Sequence, residues 1–327
     1  MKQQTFEQRY QDCWAQMDEA LILAENKAVL SFKKPPLDPE LPQLYRRICH
    51  HLSLAQERRY SSYLVGRLNN LVLRGHQQLY QRRSHFFSQL IKFVVYTFPH
   101  QVRQNAAYVW LATLLFYGPA ILLFILVQLQ PELIYSLFDH ETVANFEKMY
   151  DPSAEHVGQD RDAQSDIQMF GHYIQNNITI GFQTFATGLF YGLGSIFYLV
   201  YNGLFLGAVA SHLVTLGYQD TFFPFVIGHG SFELTAITIA GGAGLMLGHS
   251  LIAPGQKTRL GSLKTMSLKA LDLLYGIILM LTIAAFFEAF WSSNSSLSLS
   301  VKYSVGTFLW LAVIAYFVFA GKTKGSR

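Results

Sequence analysis

The sequence has few charged residues, only two cysteines, and no apolar run in its first hundred or so residues that is long enough to cross a bilayer. Charged residues make up 14% of the 327 positions and hydrophobic residues 51%, which is too apolar for an ordinary soluble chain and indicates lipid as the main solvent. Cys13 and Cys49 lack the CxxC spacing of a metal or redox pair, so we interpret both as small core residues. The N-terminus is polar and does not resemble a signal peptide, so we expect it to remain in the compartment of synthesis.

Motifs for nucleotide binding and for zinc catalysis are also missing. The chain contains no HExxH, no GxGxxG and no GxxxxGKS. The glycine cluster at residues 241–244 lies inside an apolar run with no lysine beside it, so we interpret it as a helix contact. We therefore predict no catalytic residues and no cofactor. A bound metal stays an open question, and the enzyme interpretation is weak.

The N-terminal third has the composition of a soluble helical domain. Residues 1–103 carry 15 Lys or Arg against 8 Asp or Glu. Helical spacing of apolar residues predicts three helices, at 6–30, 41–58 and 61–82. We therefore predict a cytoplasmic helical domain over residues 1–84.

A short apolar segment joins this domain to the rest of the chain. Residues 86–96 read FFSQLIKFVVY, which is too short to span a bilayer, and Pro99 and Arg103 follow. We predict an interfacial elbow helix over 85–103. The arginine pairs 46–47, 58–59 and 82–83 would then lie near the inner leaflet, where anionic lipid or an acidic partner is a simpler target than nucleic acid.

The remaining residues, 104–327, predict an all-α, polytopic transmembrane domain of about six helices. The predicted spans are 105–129, 178–200, 203–217, 231–252, 270–290 and 304–320. The third is unusually short, and the sequence PFVIGHG at 224–230 predicts a helix break before the fourth.

Charge in the loops predicts the orientation of these spans. The basic N-terminal part, the loop at 254–269 and the C-terminal tail belong in the cytoplasm, whereas the loop at 130–177, with 9 acidic and 2 basic residues, belongs outside. Six spans satisfy every loop, while five would place a basic segment on the outer side. We therefore predict a multi-pass protein of the cell inner membrane with both termini in the cytoplasm.

Two stretches carry a resemblance to a known family. Residues 176–213 read NNITIGFQTFATGLFYGLGSIFYLVYNGLFLGAVASHL, and residues 229–255 read HGSFELTAITIAGGAGLMLGHSLIAPG. Their order and spacing resemble the stage II sporulation protein M family of membrane proteins. Residues 44–47, 68–76 and 98–103 are similar to the longer, non-sporulation members.

The resemblance implies a role in the cell envelope. The founding member works with partner membrane proteins in peptidoglycan remodelling during spore engulfment. The longer relatives often accompany a MoxR-type ATPase and von Willebrand factor A proteins. The long N-terminal domain of this chain differs from the short sporulation form.

Small residues at four-residue spacing recur in the membrane half and form stripes on helix faces. The residues are Gly188 and Gly192, Gly203 and Gly207, and Ala240, Gly244 and Gly248. Such stripes let helix backbones approach closely in lipid, where the hydrophobic effect does not drive helices together. Two interpretations stay open, packing within the chain and a homodimer seam.

Four ionisable residues form a candidate functional cluster near the outer leaflet: His212, His229, Glu233 and Glu288. His229 and Glu233 are four residues apart, so a helix would place them on one face, at a spacing that allows a shared hydrogen bond or a shared metal. Charges inside membrane segments are costly and are usually paired or functional. Structural pairing, a proton or ion pathway, and a metal-dependent site all remain open.

Two functions follow from these observations. The first is a non-enzymatic membrane component that assembles with envelope-remodelling or ATPase-linked partners, or with a second copy of itself. The second is a transporter or channel with a polar site near His229, Glu233 and Glu288. A water-filled cavity at these three residues favours transport, and dry packing favours an assembly component.

Overall fold

The computed structural model describes residues 1–30, 40–80, 86–153, 166–294 and 296–322. All secondary structure in these ranges is helical. The chain divides into two compact units, Met1–Phe86 and Phe87–Arg327. The predicted boundary at residues 84–85 and the arginine pair 82–83 lie outside the described residues.

Three helices form the N-terminal unit: α1 (Gln3–Leu30), α2 (Leu41–Glu57) and α3 (Ser62–Tyr80). Their bounds lie within three residues of those that helical periodicity predicts. The core holds Phe6, Trp14 and Ile48, each no more than 1% exposed. Trp14 Nε1 donates to His51 Nδ1 at 3.1 Å, and burial lowers the pKa of His51, so this imidazole is neutral and serves as an acceptor.

The segment that precedes the first membrane-type helix is helical throughout. It consists of α4 (Phe86–Lys92), a π-helical turn (Phe93–Thr97) and α5 (Phe98–Gln104). The Phe98 ring packs directly on Gly276, where a Cβ atom would overlap it. Arg103 Nη1 donates to the backbone carbonyl of Phe317 at 2.8 Å. These contacts fix α5 against the helices that follow.

Five helices of the second unit are long and apolar enough to cross a membrane. They are α6 (Ala106–Leu129), α9 (Leu193–Thr215), α10 (Gln219–Ile252), α11 (Arg259–Phe287, continued to Ser292 by a π-turn) and α12 (Leu299–Phe319). Two others, α7 (His140–Tyr150) and α8 (Asp166–Ala186), lie between α6 and α9. Of the apolar stretch in α10, 78% is buried, against 44% or less in the other four, so α10 is the central helix.

The predicted second span at 178–200 is wrong, because the chain turns within it. Helix α8 ends at Ala186, a single 3-10 turn follows, and α9 begins at Leu193. Tyr191 and Gly192 have φ values of 55° and 83°, which no α-helix contains. The predicted third span is correspondingly too short, since α9 starts ten residues before its expected position.

The helix break predicted at 224–230 is also wrong, because α10 runs unbroken from Gln219. Pro224 lies in the second turn, where its missing N–H removes one hydrogen bond near the helix end. Gly228 has a different role, since a Cβ atom there would lie 2.7 Å from the Trp291 ring. The glycine serves close packing of the π-turn after α11 against α10.

Candidate functional site

Three of the four predicted residues come together in the second unit. One ligand-type atom each of His229, Glu233 and Glu288 lies within 4.8 Å of the other two. His229 and Glu233 share a face of α10, and Glu288 is the first residue of the π-turn after α11. The wider π-turn brings the end of α11 onto this face of the central helix.

Glu233 has a partner that the sequence interpretation did not include. Asn177 Nδ2 donates to Glu233 Oε2 at 3.1 Å, across the contact between α8 and α10. Asn177 is 1% exposed, so the hydrogen bond is shielded from bulk solvent. An asparagine within the partly apolar helix α8 was the available signal, because a buried amide needs partners of its own.

His229 is held by the π-turn and not by Glu233. Its Nδ1 lies 3.1 Å from Ser292 Oγ, and the Ser292 carbonyl accepts from Lys302 Nζ at 2.8 Å. His229 and Lys302 are only 6% and 8% exposed. Ser292 therefore joins the imidazole to a buried ammonium group on α12.

His212 does not belong to the cluster. Its Nε2 lies 2.8 Å from Glu147 Oε1, on the helix α7 that the acidic 130–177 segment forms. The imidazole is buried, and its Nδ1 has no hydrogen-bond partner. The His212–Glu147 pair ties α7 to the end of α9, and within the described part of the chain no third metal-ligand side chain joins it.

The three clustered residues line a cavity of about 380 Å³. Its walls come from α7, α8, α9 and α10 together with the π-turn: Phe146, Met149, Tyr150, His172, Tyr173, Asn176, Phe205, Leu206, Val209, Phe222, Phe225, Val226, His229, Gly230, Glu233, Leu234 and Glu288. Most of the lining side chains are aromatic or aliphatic, and His172 on α8 lines the cavity in addition to His229, Glu233 and Glu288.

Tyr150, the last residue of α7, also lines the cavity. Thr221 Oγ1 donates to the Tyr150 carbonyl at 2.6 Å, which joins the end of α7 to the start of α10. Burial raises the pKa of the Tyr150 hydroxyl, and the charge of Glu288 raises it further. The phenol therefore stays protonated and can act as a hydrogen-bond donor.

The small residues make their contacts within the chain, but Gly188 and Gly192 lie in the turn between α8 and α9, so the prediction that they share a helix face is wrong. Gly188 lies on the backbone of Gly244, and Gly248 lies on the backbone of Gly192. Gly203 and Gly207 lie on the α6 backbone at Phe116 and Ala120, and Ala240 is fully buried in the core around α10. In each of these glycine contacts a Cβ atom would overlap backbone atoms, so these faces are occupied by neighbouring helices of the same molecule.

These features define a class of protein, an all-α membrane protein with a polar cluster between its central helix and the π-turn after α11. The chain belongs to the stage II sporulation protein M family, whose model matches residues 109–293. The predicted family resemblance is therefore confirmed over residues 109–293, whereas the similarity expected at 98–103 lies outside the match. Residues 4–81 match a different model, a domain of unknown function (DUF8413), so the similarity expected at 44–47 and 68–76 lies outside the family match.

Two further comparisons found no relatives. No curated protein matches the chain, and no solved structure matches it. The family match covers α9, α10 and α11 entirely, together with most of α6 and the whole of α8. It therefore contains His229, Glu233, Glu288 and Asn177.

Proposed function

We propose that this chain is a non-enzymatic integral membrane protein that binds a polar ligand in the cavity at His229, Glu233 and Glu288, in the manner of a transporter or channel component. The observation that supports this role is the convergence of three ionisable side chains, from two separate parts of the chain, on one cavity. Ionisable groups in a membrane segment are expensive and are usually tied to a pathway or a ligand.

The proposal includes a topology of six crossings in the cell inner membrane. Helix α8 is the sixth, since its 21 residues would extend about 32 Å. The turn at 187–192, the loop at 254–269, the N-terminal unit and the C-terminal tail would all face the cytoplasm, and α7 would face outward. This arrangement keeps all three basic regions on the inner side.

The topology places the cavity in the outer half of the membrane. Helix α10 has 34 residues and a length of about 51 Å, against about 30 Å for the hydrocarbon core. His229 lies about 15 Å along the helix from Gln219. The cluster would then lie just inside the outer edge of the apolar layer, within reach of water from outside.

Cysteine accessibility tests the cavity. Val209 lines the cavity and is 6% exposed, whereas Leu199, on the same helix, is 0% exposed and does not line it. In a background without Cys13 and Cys49, we expect a small cationic thiol reagent added outside to modify Val209→Cys and not Leu199→Cys. Equal protection of both cysteines would mean that the site is dry, and would contradict a ligand-binding cavity.

A functional assay of a Glu233 variant distinguishes the transport role from a purely structural one. Glu233→Gln keeps the size of the side chain and can still hydrogen-bond to Asn177, so the protein should fold. In a complementation assay we expect the variant to be inactive at normal membrane abundance, because the charge is what a pathway needs. His212→Gln, outside the cavity, is the matched control. Full activity of Glu233→Gln would contradict the transport role.

A second candidate is an assembly component for envelope-remodelling or ATPase-linked partners, including the MoxR-type ATPase and von Willebrand factor A proteins that the family resemblance implies. Exposed arginines on the N-terminal unit favour it, namely Arg46, Arg47, Arg58 and Arg59. Such a surface suits an acidic partner or anionic lipid.

Affinity purification from native membranes tests this candidate. We expect a discrete protein to co-purify with the tagged chain and to be lost in the double variant Arg46→Glu, Arg47→Glu. Lys264→Glu, an exposed charge reversal in the second unit, is the control. Recovery of the chain alone, at the mass of a dimer, would support self-association and contradict an ATPase-linked complex.

A further inference from the structure

We propose that His229, Glu233 and Glu288 bind one divalent transition-metal ion of the zinc class. This inference rests on the proposed function, in that it names the ligand of the same cavity. It starts from the mixed character of the set, one imidazole and two carboxylates on a common wall. Imidazole nitrogen suits zinc, copper, iron and nickel, while magnesium and calcium prefer oxygen alone.

The spacing of the three side chains is close to that of a bound ion. Ligand atoms about 2.0–2.2 Å from a tetrahedral zinc lie roughly 3.4 Å from one another. The three atoms here are already within 4.8 Å of each other. A shift of about 1 Å in each side chain would bring the three atoms to the spacing of zinc ligands. Small changes in side-chain torsion angles provide such a shift without movement of the helices.

Ser292 and Asn177 contact His229 and Glu233 and fix their orientation, as residues behind the ligands of a metal site commonly do. Ser292 Oγ contacts His229 Nδ1 at 3.1 Å, which leaves Nε2 as the coordinating nitrogen. Asn177 holds Glu233 through Oε2, so Oε1 remains for the ion. Metal-binding imidazoles and carboxylates commonly have such second partners, which fix the ring tautomer and the direction of the lone pair.

The surroundings also favour a cation between the carboxylates. Glu233 and Glu288 are brought within 4.8 Å of each other in a largely apolar wall, where two negative charges repel more strongly than in water. A divalent ion placed between them replaces this repulsion with attraction. The cavity in front of the three residues leaves space for a fourth ligand, such as water or a ligand that enters from outside.

Cobalt binding to the purified full-length chain in detergent tests the site. The visible absorption spectrum of bound Co²⁺ depends on the ligands of the ion, and Zn²⁺ should displace the bound Co²⁺. We expect one Co²⁺ per chain, with the affinity lowered at least about tenfold in each of His229→Ala, Glu233→Gln and Glu288→Gln. His212→Ala is the matched control, because it removes an imidazole that also contacts a glutamate in this unit. We expect its affinity to stay at the wild-type value.

The result that overturns the inference is absence of Co²⁺ and Zn²⁺ binding by folded wild-type protein, or an equal loss in His212→Ala. Thermal unfolding without metal identifies variants that fail to fold, and Glu288→Asp, which keeps a carboxylate, should retain part of the binding. Reagent access to Val209→Cys is measured on the same preparation. If the reagent modifies Val209→Cys but no metal binds, the cavity function is supported and the metal site is refuted. If metal binds but the reagent does not modify Val209→Cys, the metal site is supported and the transport role is refuted.

Discussion

Replacing Gly244 with alanine should destabilise the second unit although it adds only one methyl group. An ideal Cβ atom at Gly244 overlaps Ser195 Oγ and lies 2.8 Å from the Phe185 carbonyl oxygen and 2.9 Å from that of Thr184. The two carbonyls belong to the last turn of α8 and cannot rotate away as a side chain can. The substitution therefore forces α8 and α10 apart.

The magnitude follows from opposing effects. Alanine improves helix propensity by about 1 kcal/mol over glycine. Overpacking costs about 1–3 kcal/mol, and displacing Ser195 Oγ breaks its 2.6 Å hydrogen bond to the Thr184 carbonyl, at about 0.5–1.5 kcal/mol. We expect a net loss of about 1–3 kcal/mol, and a larger loss with reduced yield for Gly244→Leu.

Gly171→Ala is the matched control, because Gly171 lies inside α8 with nothing within 4 Å of an added Cβ atom. There we expect a gain of up to about 1 kcal/mol from helix propensity and from a less flexible unfolded chain. The assay is unfolding in mixed micelles with increasing denaturing detergent, followed by circular dichroism. Equal stability of the two variants would refute the close approach of α8 and α10.

Three other predictions test the site, the topology and the N-terminal unit. Asn177→Leu should cost about 1–3 kcal/mol in the same unfolding assay, because it removes the amide that donates to the Glu233 carboxylate; an unchanged midpoint would exclude this bond. Single cysteines at Ser153 and Thr258, both exposed, should react with an impermeant reagent from opposite sides of intact membranes, and reaction from one side would rule out the orientation. Burial lowers the pKa of His51, so protonation of this imidazole disfavours the folded state. The contribution of the neutral His51 to folding stability is therefore complete above pH ~6.5, the pKa of an unfolded histidine, and is lost as the pH falls below that value. Hydrogen-exchange protection factors in α2, which are corrected for the intrinsic pH dependence of exchange, should therefore fall from pH 7.5 to 5.5, and less so in His51→Leu.

Much of the helical framework could be predicted from the sequence, because apolar periodicity and span length are local properties. The first and last membrane-type helices start and end within five residues of expectation, at Ala106–Leu129 and Leu299–Phe319. The turn at 187–192 was missed for a physical reason. Its residues are apolar and glycine-rich, so a hydropathy pattern continues through it, while its backbone packs against Gly244 and Gly248.

The candidate site was partly visible in the sequence. Helical spacing alone places His229 and Glu233 on one face, and their position in an apolar helix marks them as unusual. The partners of His212 and Glu233 were not visible, because Glu147 and Asn177 are more than fifty residues away along the chain. Which polar groups meet depends on how α7 and α8 pack.

What the sequence by itself determined is the class of the molecule: its composition requires lipid, its periodicity requires helices, and its motifs identify the stage II sporulation protein M family. What only the tertiary structure decided is the use of each polar and small residue. Gly188, in the turn after α8, packs against Gly244 of α10, and Glu288 lies beside His229 and Glu233 at a cavity. The reason is that a side chain's free energy depends on its neighbours in space, and in a membrane helix those neighbours come mainly from other helices.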